Sequence, residues 1–279
     1  MTRHRLACQL LSTFLFFSFS LYSDQLLAAV SLEGAIVQGG IVFGQASPDS
    51  QVFLDGEEVL ISPEGQFVIG FDRDETGQRE LMVIDRSEGK EVIALDVQKR
   101  EYAIERVDGL PPSTVTPDPE AAQRIRDEAA MVSAARSRRD IRADYAEGFA
   151  WPASGRISGV FGSQRILNGE PRRPHYGLDI AAPSGSPVFA PADGIVTLAH
   201  PGMYFSGGTL ILDHGQGLSS SFLHLSRILV ESGTEVKQGD LIAEIGSTGR
   251  ASGPHLDWRM NWLNRRVDPQ LLVVDLPQP

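Results

Sequence analysis

Three histidines and two aspartates in the last third of the chain have the side-chain types that bind a divalent metal: His175, Asp179, His224, His255 and Asp257. Imidazole nitrogen and carboxylate oxygen are both accepted by zinc, and a catalytic zinc uses about three such ligands while one position stays open for water. A single histidine is more often a surface or core residue than a ligand. Only six histidines occur in the chain, however, so three of them beside carboxylates and glycines suggest a zinc site.

Two of these residues lie in a segment with the alternating pattern of a half-buried strand. Polar and apolar residues alternate from His255 to Met260. A side-chain period of two places His255 and Asp257 on one face of such a strand and Trp258 on the opposite, core-facing side. A strand backed by a tryptophan is a stiff support for a site.

The other three candidates are placed by different local patterns. His224 closes the β-type run Ser219–Leu225, which follows a similar run and a glycine turn, so the two runs predict a hairpin. His175 and Asp179 are four residues apart, but Gly177 between them and the flanking prolines favour irregular or extended backbone over a helix. Spacing alone does not show whether the hairpin brings His224 to the others.

Composition argues against several classes of protein. The only cysteine, Cys8, lies in the N-terminal apolar segment, so neither a disulfide framework nor a cysteine nucleophile is expected. No Gly-x-Ser-x-Gly sequence occurs, which argues against a serine hydrolase. The formal net charge is −11, so nucleic acid and anionic lipid are not expected partners.

The N-terminal segment has the outline of a secretory signal peptide. Basic residues precede an apolar run over Leu6–Tyr22, and Ala28 and Ala29 fit cleavage before Val30. The run is shorter than the roughly 20 apolar residues of a bilayer span, although an uncleaved anchor is the alternative. We therefore expect residues 1–29 to be removed, a mature chain without a membrane span, and a periplasmic location.

The rest of the sequence predicts a mainly β protein with two domains and a connecting helix. Short alternating runs separated by turn residues over 30–109 predict a small accessory β-sandwich. Residues 110–150 begin with a proline-rich linker and continue into an alanine-rich helix, expected from Pro119 to about Asp144. Residues 151–279 carry the candidate site on short β-type runs between glycines and prolines.

The C-terminal domain contains an ordered set of motifs that resembles the lysostaphin-type (LytM-like) zinc metallopeptidases, a family of murein endopeptidases. The motifs lie within Arg156–Leu272 and are Ser158–Gly162, His175–Pro183, Ser186–Val188, Ala192–Gly194, Asp213–Gly215, Phe222–Leu225, Val236–Asp240, Gly246–Gly249, Gly253–His255 and Asp268–Pro269. The resemblance implies a compact, largely antiparallel β peptidase domain with its site in a groove.

The resemblance also implies a role for each candidate residue. His175 and Asp179 would bind one zinc ion per chain. His224 and His255 would be the catalytic residues that flank the attacking water and the scissile carbonyl. In the family the third ligand is the second histidine of a His-x-His pair, and Asp257 occupies that position here.

Asp257 is thus the one serious departure from the family pattern. Zinc accepts carboxylate oxygen at about the same distance as imidazole nitrogen, so Asp257 is expected to be the third ligand. Two carboxylates would neutralise the charge of the metal, and the pH optimum would then rise. The alternative is an ion pair between Asp257 and an arginine such as Arg259.

Three functions remain open from the sequence. The first is a zinc-dependent endopeptidase that hydrolyses peptide cross-links of bacterial cell-wall peptidoglycan, with its stem peptides as substrate. The second is a degenerate, non-catalytic domain that binds murein or activates a partner hydrolase of the cell envelope. The third, a structural zinc module, would need a closed set of four ligands and no spare histidines.

Four further residues have less specific patterns. Arg172 and Arg173 could line the groove and meet substrate carboxylates, although an exposed pair is the alternative. His200 precedes a proline and is expected at the surface, and His214 is expected to be a turn or supporting residue.

Overall fold

The computed structural model describes residues 30–87, 89–107, 121–167 and 169–273. The predicted signal peptide and the expected start of the helix at Pro119 lie outside the described residues. The described part is mainly β and largely antiparallel, as predicted. None of its helices combines the length and the apolar character that a bilayer span requires.

Residues 30–97 form two antiparallel sheets. Their strands are β1 (Val30–Gly34), β2 (Ile41–Ala46), β3 (Gln51–Leu54), β4 (Glu57–Val59), β5 (Gln66–Gly70), β6 (Gly77–Asp85) and β7 (Gly89–Val97). One sheet has the order β1-β2-β5 and the other β4-β3-β6-β7. Alternation explains these strands, since Val52 and Leu54 are buried whereas Gln51 is exposed. The two sheets agree with the β-sandwich that the sequence predicts.

A short strand and a helix follow, β8 (Ile104–Val107) and α1 (Ala122–Ala135). The helix has 14 residues, so the expectation that it continues to about Asp144 is wrong. The hydroxyl of Ser137 donates to the Ala134 carbonyl at 2.7 Å, which satisfies an acceptor that another helical turn would use. Beyond this point the chain runs along the large C-terminal sheet, where Arg142 pairs with Asp213.

The C-terminal part is built around one large sheet. Its strands and those of two small sheets are β9 (Arg156–Gly159), β10 (Gln164–Leu167), β11 (Glu170–Pro171), β12 (Leu178–Ala181), β13 (Pro187–Phe189), β14 (Gly194–Met203), β15 (Gly207–Asp213), β16 (Leu218–Leu225), β17 (Arg227–Ile228), β18 (Glu235–Val236), β19 (Leu241–Glu244), β20 (His255–Trp262) and β21 (Arg265–Val267). The large sheet has the order β18-β14-β15-β16-β20-β12-β9, with β21 paired to β20. The small sheets are β13-β19-β17 and β11-β10-β8.

The large sheet buries one apolar face and supports the candidate residues on the other. Leu256, Trp258 and Met260 of β20 are fully buried, as the alternating pattern predicts. The predicted hairpin is also present, because β15 and β16 are antiparallel neighbours joined by a short turn. A 3₁₀ turn at Pro269–Leu272 ends the described part.

The two β units are in direct contact. The N–H of Asp268 donates to the Gly39 carbonyl at 2.7 Å, and the Asp268 carboxylate pairs with Arg100 at 2.8 Å. Strand β8 pairs in parallel with β10, which joins the segment before the linker to the C-terminal part. The exact domain boundaries stay a prediction, but the N-terminal unit packs on the domain that carries the site.

Candidate metal centre and active site

Neighbouring strands bring four of the candidate residues to one end of the large sheet. Asp179 of β12 lies directly opposite Asp257 of β20. His255 opens β20, and His224 lies at the end of β16 on the other side of that strand. His175 lies in the irregular segment before β12, where the sequence favours non-helical backbone.

His175, Asp179 and Asp257 form a compact donor set. One ligand atom from each lies within 4.8 Å of the others. Nε2 of His175 is 3.1 Å from Oδ1 of Asp179; both atoms are buried, and apart from this contact with each other neither has a hydrogen-bond partner among the described residues. Buried polar atoms without partners are rare and costly. A divalent metal such as zinc would satisfy both, so the donor set fits this ion.

Two carboxylates act on the imidazole of His175. Burial alone favours the neutral imidazole of His175, but the carboxylates of Asp179 and Asp257 raise its pKa above the ordinary value. The same carboxylates would attract a metal cation, which competes with a proton for the imidazole nitrogen.

Asp257 is also held by an arginine on its own strand. Arg259 donates from Nε to both oxygens of Asp257 at 3.0 Å and from an Nη atom to Oδ2 at 2.5 Å. Burial opposes the charged carboxylate, but the Arg259 charge and hydrogen bonds hold the pKa of Asp257 below its ordinary value. Each carboxylate oxygen has two lone pairs, so this ion pair does not by itself exclude metal binding.

His224 and His255 lie side by side, with ring centroids 4.8 Å apart. Each ring places Nδ1 2.8 Å from a backbone carbonyl, that of Thr248 for His224 and that of Gly253 for His255. A neutral ring that donates from Nδ1 keeps Nε2 as a proton acceptor. Nε2 of His255 is 3.9 Å from Oδ1 of Asp179. Burial lowers the pKa of His224, which favours the neutral form.

The backbone around His224 is strained and supported by Thr248. His224 has a φ of 65°, in the left-handed region that costs free energy for any residue with a Cβ. The Thr248 hydroxyl donates to the Leu225 carbonyl at 2.8 Å and accepts from the Gly208 N–H at 2.8 Å. The sequence places Thr248 in a family motif but gives it no role. The structure identifies it as the residue that fixes the end of β16.

Two glycines let the carboxylates approach the backbone. A Cβ at Gly159 would overlap Oδ2 of Asp179, and a Cβ at Gly177 would overlap Oδ1 of Asp257. Neither of these close contacts is predicted by the sequence analysis above. A glycine within or beside a strand is the available signal, since it often marks such an approach.

The remaining candidates lie outside the donor set. His214 is fully buried with Nδ1 2.6 Å from the Asp193 carbonyl, and burial lowers its pKa to about 4, so it is a neutral structural residue. His200 is half-buried. Arg173 is exposed and Arg172 half-buried, and their contact with substrate stays a prediction.

Comparison with known proteins agrees with the resemblance in the sequence. The model of peptidase family M23 matches residues 173–269, which include all five candidate residues. Peptidoglycan DD-endopeptidase ShyB of Vibrio cholerae is 42% identical over 106 residues, 37% of this chain and 24% of that protein. The lipoprotein NlpD/LppB homolog of Pseudomonas aeruginosa is 42% identical over 122 residues, 44% of this chain and 38% of that protein. The chain therefore matches less than half the length of these curated relatives.

A solved structure is similar over nearly its whole length. It is a Pseudomonas aeruginosa protein assigned to peptidase M23, 31% identical, with a TM-score of 0.66 over 85% of this chain and 94% of that chain. This likeness extends beyond the residues that the family model matches and includes part of the N-terminal region. Together with the family match over the candidate site, it shows that the chain belongs to peptidase family M23.

Proposed function

We propose that this chain is a zinc-dependent endopeptidase that hydrolyses the peptide cross-links of bacterial cell-wall peptidoglycan. The observation that carries the proposal is the compact group of potential metal ligands His175, Asp179 and Asp257, in which Nε2 of His175 and Oδ1 of Asp179 are buried and contact only each other among the described residues. Membership of peptidase family M23 supports hydrolysis. The relative named as a peptidoglycan DD-endopeptidase supports the substrate class.

One zinc ion per chain would be held by His175, Asp179 and Asp257. Bound there, zinc supplies a Lewis acid that polarises the peptide carbonyl and makes water nucleophilic near neutral pH. Two carboxylates in the ligand set are expected to raise the pH optimum, because they neutralise the ion's charge more than imidazoles do. Arg259 weakens this effect, because its positive charge partly neutralises the carboxylate of Asp257.

His224 and His255 would move protons during catalysis. Nε2 of each neutral ring is an acceptor, so one of them can take the proton of the attacking water and pass it to the leaving amine. While it holds this proton, the same ring can also donate a hydrogen bond to the oxyanion that develops on the carbonyl. The short distance between the two rings places both functions on one side of the donor set.

The proposed location is the periplasm, where peptidoglycan stem peptides are available. The signal-peptide outline of residues 1–29 supports export. The same location would bring the chain together with a protein partner in the cell envelope, and the N-terminal β unit would bind it.

One observation favours a second function. Asp257 is paired with Arg259 through three short contacts. If that pair persists against a metal, His175 and Asp179 remain as the only ligands, and the domain would bind murein or activate a partner hydrolase without cutting peptide bonds.

Digestion of purified sacculi by the chain from Val30 onward tests the first function. We expect loss of cross-linked muropeptide dimers in mass spectra, and we expect a chelator to abolish that loss. His175→Ala should lose bound zinc, whereas His224→Ala should keep zinc and lose turnover. A His175→Ala protein that still binds a full equivalent of zinc would contradict the ligand assignment.

Two variants at the third ligand position separate the two functions. Asp257→His restores the family's histidine and should keep zinc, whereas Asp257→Asn should lose it. Equal zinc content in wild type and Asp257→Asn would show that Asp257 is not a ligand. If the folded wild-type protein leaves sacculi intact while Asp257→His cuts them, the non-catalytic function is the correct one.

A further inference from the structure

Three arginines from different segments lie on the face of the large sheet that carries the candidate site, and one of them, Arg259, pairs with Asp257. Arg259 is on β20, Arg266 is on β21, and Arg136 follows the last residue of α1. We call Arg136, Arg259 and Arg266 the arginine cluster. Arg136 lies outside residues 173–269, which the family model matches.

Contacts within the sheet hold these side chains together. An Nη atom of Arg136 donates to Oγ of Ser221 at 2.8 Å, and Ser221 lies directly opposite Arg259 in the β16–β20 pair. An Nη atom of Arg266 donates to Oδ1 of Asn261 at 3.1 Å. Asn261 is two residues from Arg259 and on the same face of β20. The three guanidinium groups therefore share one surface.

The positive charge of the cluster is only partly balanced. Among the described residues, Arg259 pairs with Asp257, but neither Arg136 nor Arg266 forms an ion pair with a side-chain carboxylate. Arg266 lies over the Tyr176 ring at 5.5 Å. The Asp72 carboxylate near Arg266 accepts from its backbone N–H.

Arg136 is the least compensated of the three. Its Nε is buried and has no hydrogen-bond partner among the described residues. Burial and then the like charges of Arg266 and Arg259 lower the pKa of Arg136. Burial and the charge of Arg259 also lower the pKa of Arg266. Positive charges held this close together lower the stability of the folded protein, and an anion bound beside them offsets that loss.

The arginine cluster contrasts with the chain as a whole, which carries a formal net charge of −11. An anionic group would therefore be attracted to this surface and repelled by most others. The planar fork of a guanidinium group matches a carboxylate with two parallel hydrogen bonds. The Arg259 side chain is 28% exposed, and Arg136 and Arg266 are half-buried, so the cluster is partly accessible from solvent.

We propose that the arginine cluster binds a free carboxylate of the peptide substrate, next to the candidate metal centre, and that Arg136 and Arg266 are the residues that set this preference. The proposal rests on the proposed function for the identity of the peptide. It extends that function by giving a substrate-recognition role to Arg136, the residue that follows α1. A peptide whose carboxylates are amidated would bind less well because its carboxamides lack the negative charge.

Calorimetric titration of the chain from Val30 onward tests the proposal without any need for cleavage. The two probes are a muropeptide released from sacculi and the same peptide with its carboxylates converted to carboxamides, both titrated in the presence of a chelator. We expect the acid to bind about tenfold or more tightly than the amide, which is the fold-change expected for a charge-assisted hydrogen bond. Arg136→Gln and Arg266→Gln should each reduce that ratio toward one.

Matched variants make the result specific. Arg139→Gln removes the same charge from an exposed position three residues away and should leave the ratio unchanged. Arg136→Lys keeps the charge without the fork and should retain part of the preference, which guards against a general effect of Arg136→Gln on folding. The melting temperature of Arg136→Gln should not fall, because a buried, poorly compensated charge is removed.

Two results would overturn the proposal. One is an acid-to-amide ratio that Arg136→Gln and Arg266→Gln leave unchanged. The other is binding of inorganic phosphate as tightly as the peptide acid, which would assign the cluster to a small anion. A preference for the acid that is lost in Arg136→Gln would support the cluster even if sacculi are not cut, so its outcome is independent of the test of hydrolysis.

Discussion

Asp257 and Asp213 occupy similar surroundings in the large sheet but differ in their charge. Both are nearly fully buried, at 2% and 3% exposure, and both contact an arginine. Burial raises the pKa of Asp213 to about 6, whereas the pKa of Asp257 is lowered despite burial. Near pH 6, Asp257 is therefore an anion and Asp213 is partly protonated.

One difference between the two sites is the number of acids near each arginine, although Asp213 also lies 3.5 Å from Arg138. Among the described residues, the only carboxylate that forms an ion pair with Arg259 is that of Asp257. Arg142 pairs with Asp213 and also with Asp140 and Asp144. The like charge of Asp140 further opposes ionisation of Asp213. A carboxylate with an arginine of its own keeps its charge and can bind a metal, whereas one in a crowded acidic cluster serves mainly to hold the chain in place.

Removal of the Asp257 charge should give the largest effect. Asp257→Asn leaves Arg259 without a carboxylate, and we expect the free energy of unfolding of the metal-free protein to fall by about 3 kcal/mol. This lies at the low end for a broken buried pair because Arg259 is 28% exposed. Asp213→Asn should cost less than about 1 kcal/mol at pH 6, where the neutral form is already populated. Urea unfolding of both variants measures the two losses, and equal losses would contradict the explanation by shared arginines.

The pH dependence of stability should distinguish Asp213 from its neighbour His214. The folded-state pKa of Asp213, about 6, exceeds its ordinary value of 3.8, so its stabilising contribution is complete below pH 3.8 and is lost as the pH rises through 6. The folded-state pKa of His214, about 4, is below its ordinary value of 6.5. Its contribution is therefore complete above pH 6.5 and is lost as the pH falls through 4.

These opposite contributions should partly cancel in the wild-type protein. Asp213→Asn removes only the first, so acidification from pH 6.5 to 4 should destabilise this variant by about 2 to 3 kcal/mol more than the wild type. Denaturant unfolding at a series of pH values gives the difference directly. Parallel profiles for the two proteins would mean that Asp213 does not titrate in this window.

Crowding the Asp257 carboxylate with an added methyl group should have a smaller effect than removing its charge. Gly177→Ala places a methyl group against Oδ1 of Asp257, and we expect a loss of about 2 kcal/mol in stability together with weaker zinc binding. Gly202→Ala is the control, because an added Cβ there has no atom within 4 Å. Thermal melts and zinc titrations should show an effect only for Gly177→Ala. Unchanged zinc affinity in that variant would show that the carboxylate can move away without consequence.

Local patterns could predict much of the fold and part of the site. The alternation in β20 places His255 and Asp257 on one face, and the glycine turn before β16 identifies the hairpin that carries His224. The ion pair of Asp257 with Arg259 is also visible as a spacing of two on one strand face, and the sequence already indicates it as an alternative.

Contacts between distant segments could not be predicted in this way. After α1 the Ser137 hydroxyl donates to the Ala134 carbonyl, and the following segment is held by Asp213 of another element, so the alanine-rich composition overestimates the length of the helix. The approach of Arg136 to Ser221 depends on where the chain runs after the helix. Gly177 belongs to a recognised motif, but only the structure shows which carboxylate its missing side chain makes room for.

Because β8 pairs in parallel with β10, the protein should stay assembled when a protease cuts the chain after β8. The chain between residues 107 and 121 connects two parts that also adhere through this pairing, through Arg100 with Asp268, and through the Asp268 N–H to the Gly39 carbonyl. A protease that cuts the connection should therefore produce two fragments that migrate together on gel filtration and separate only in denaturant. The two fragments would stay together as a nicked but intact protein, in which the fragment with α1 and the C-terminal domain keeps the N-terminal β unit bound.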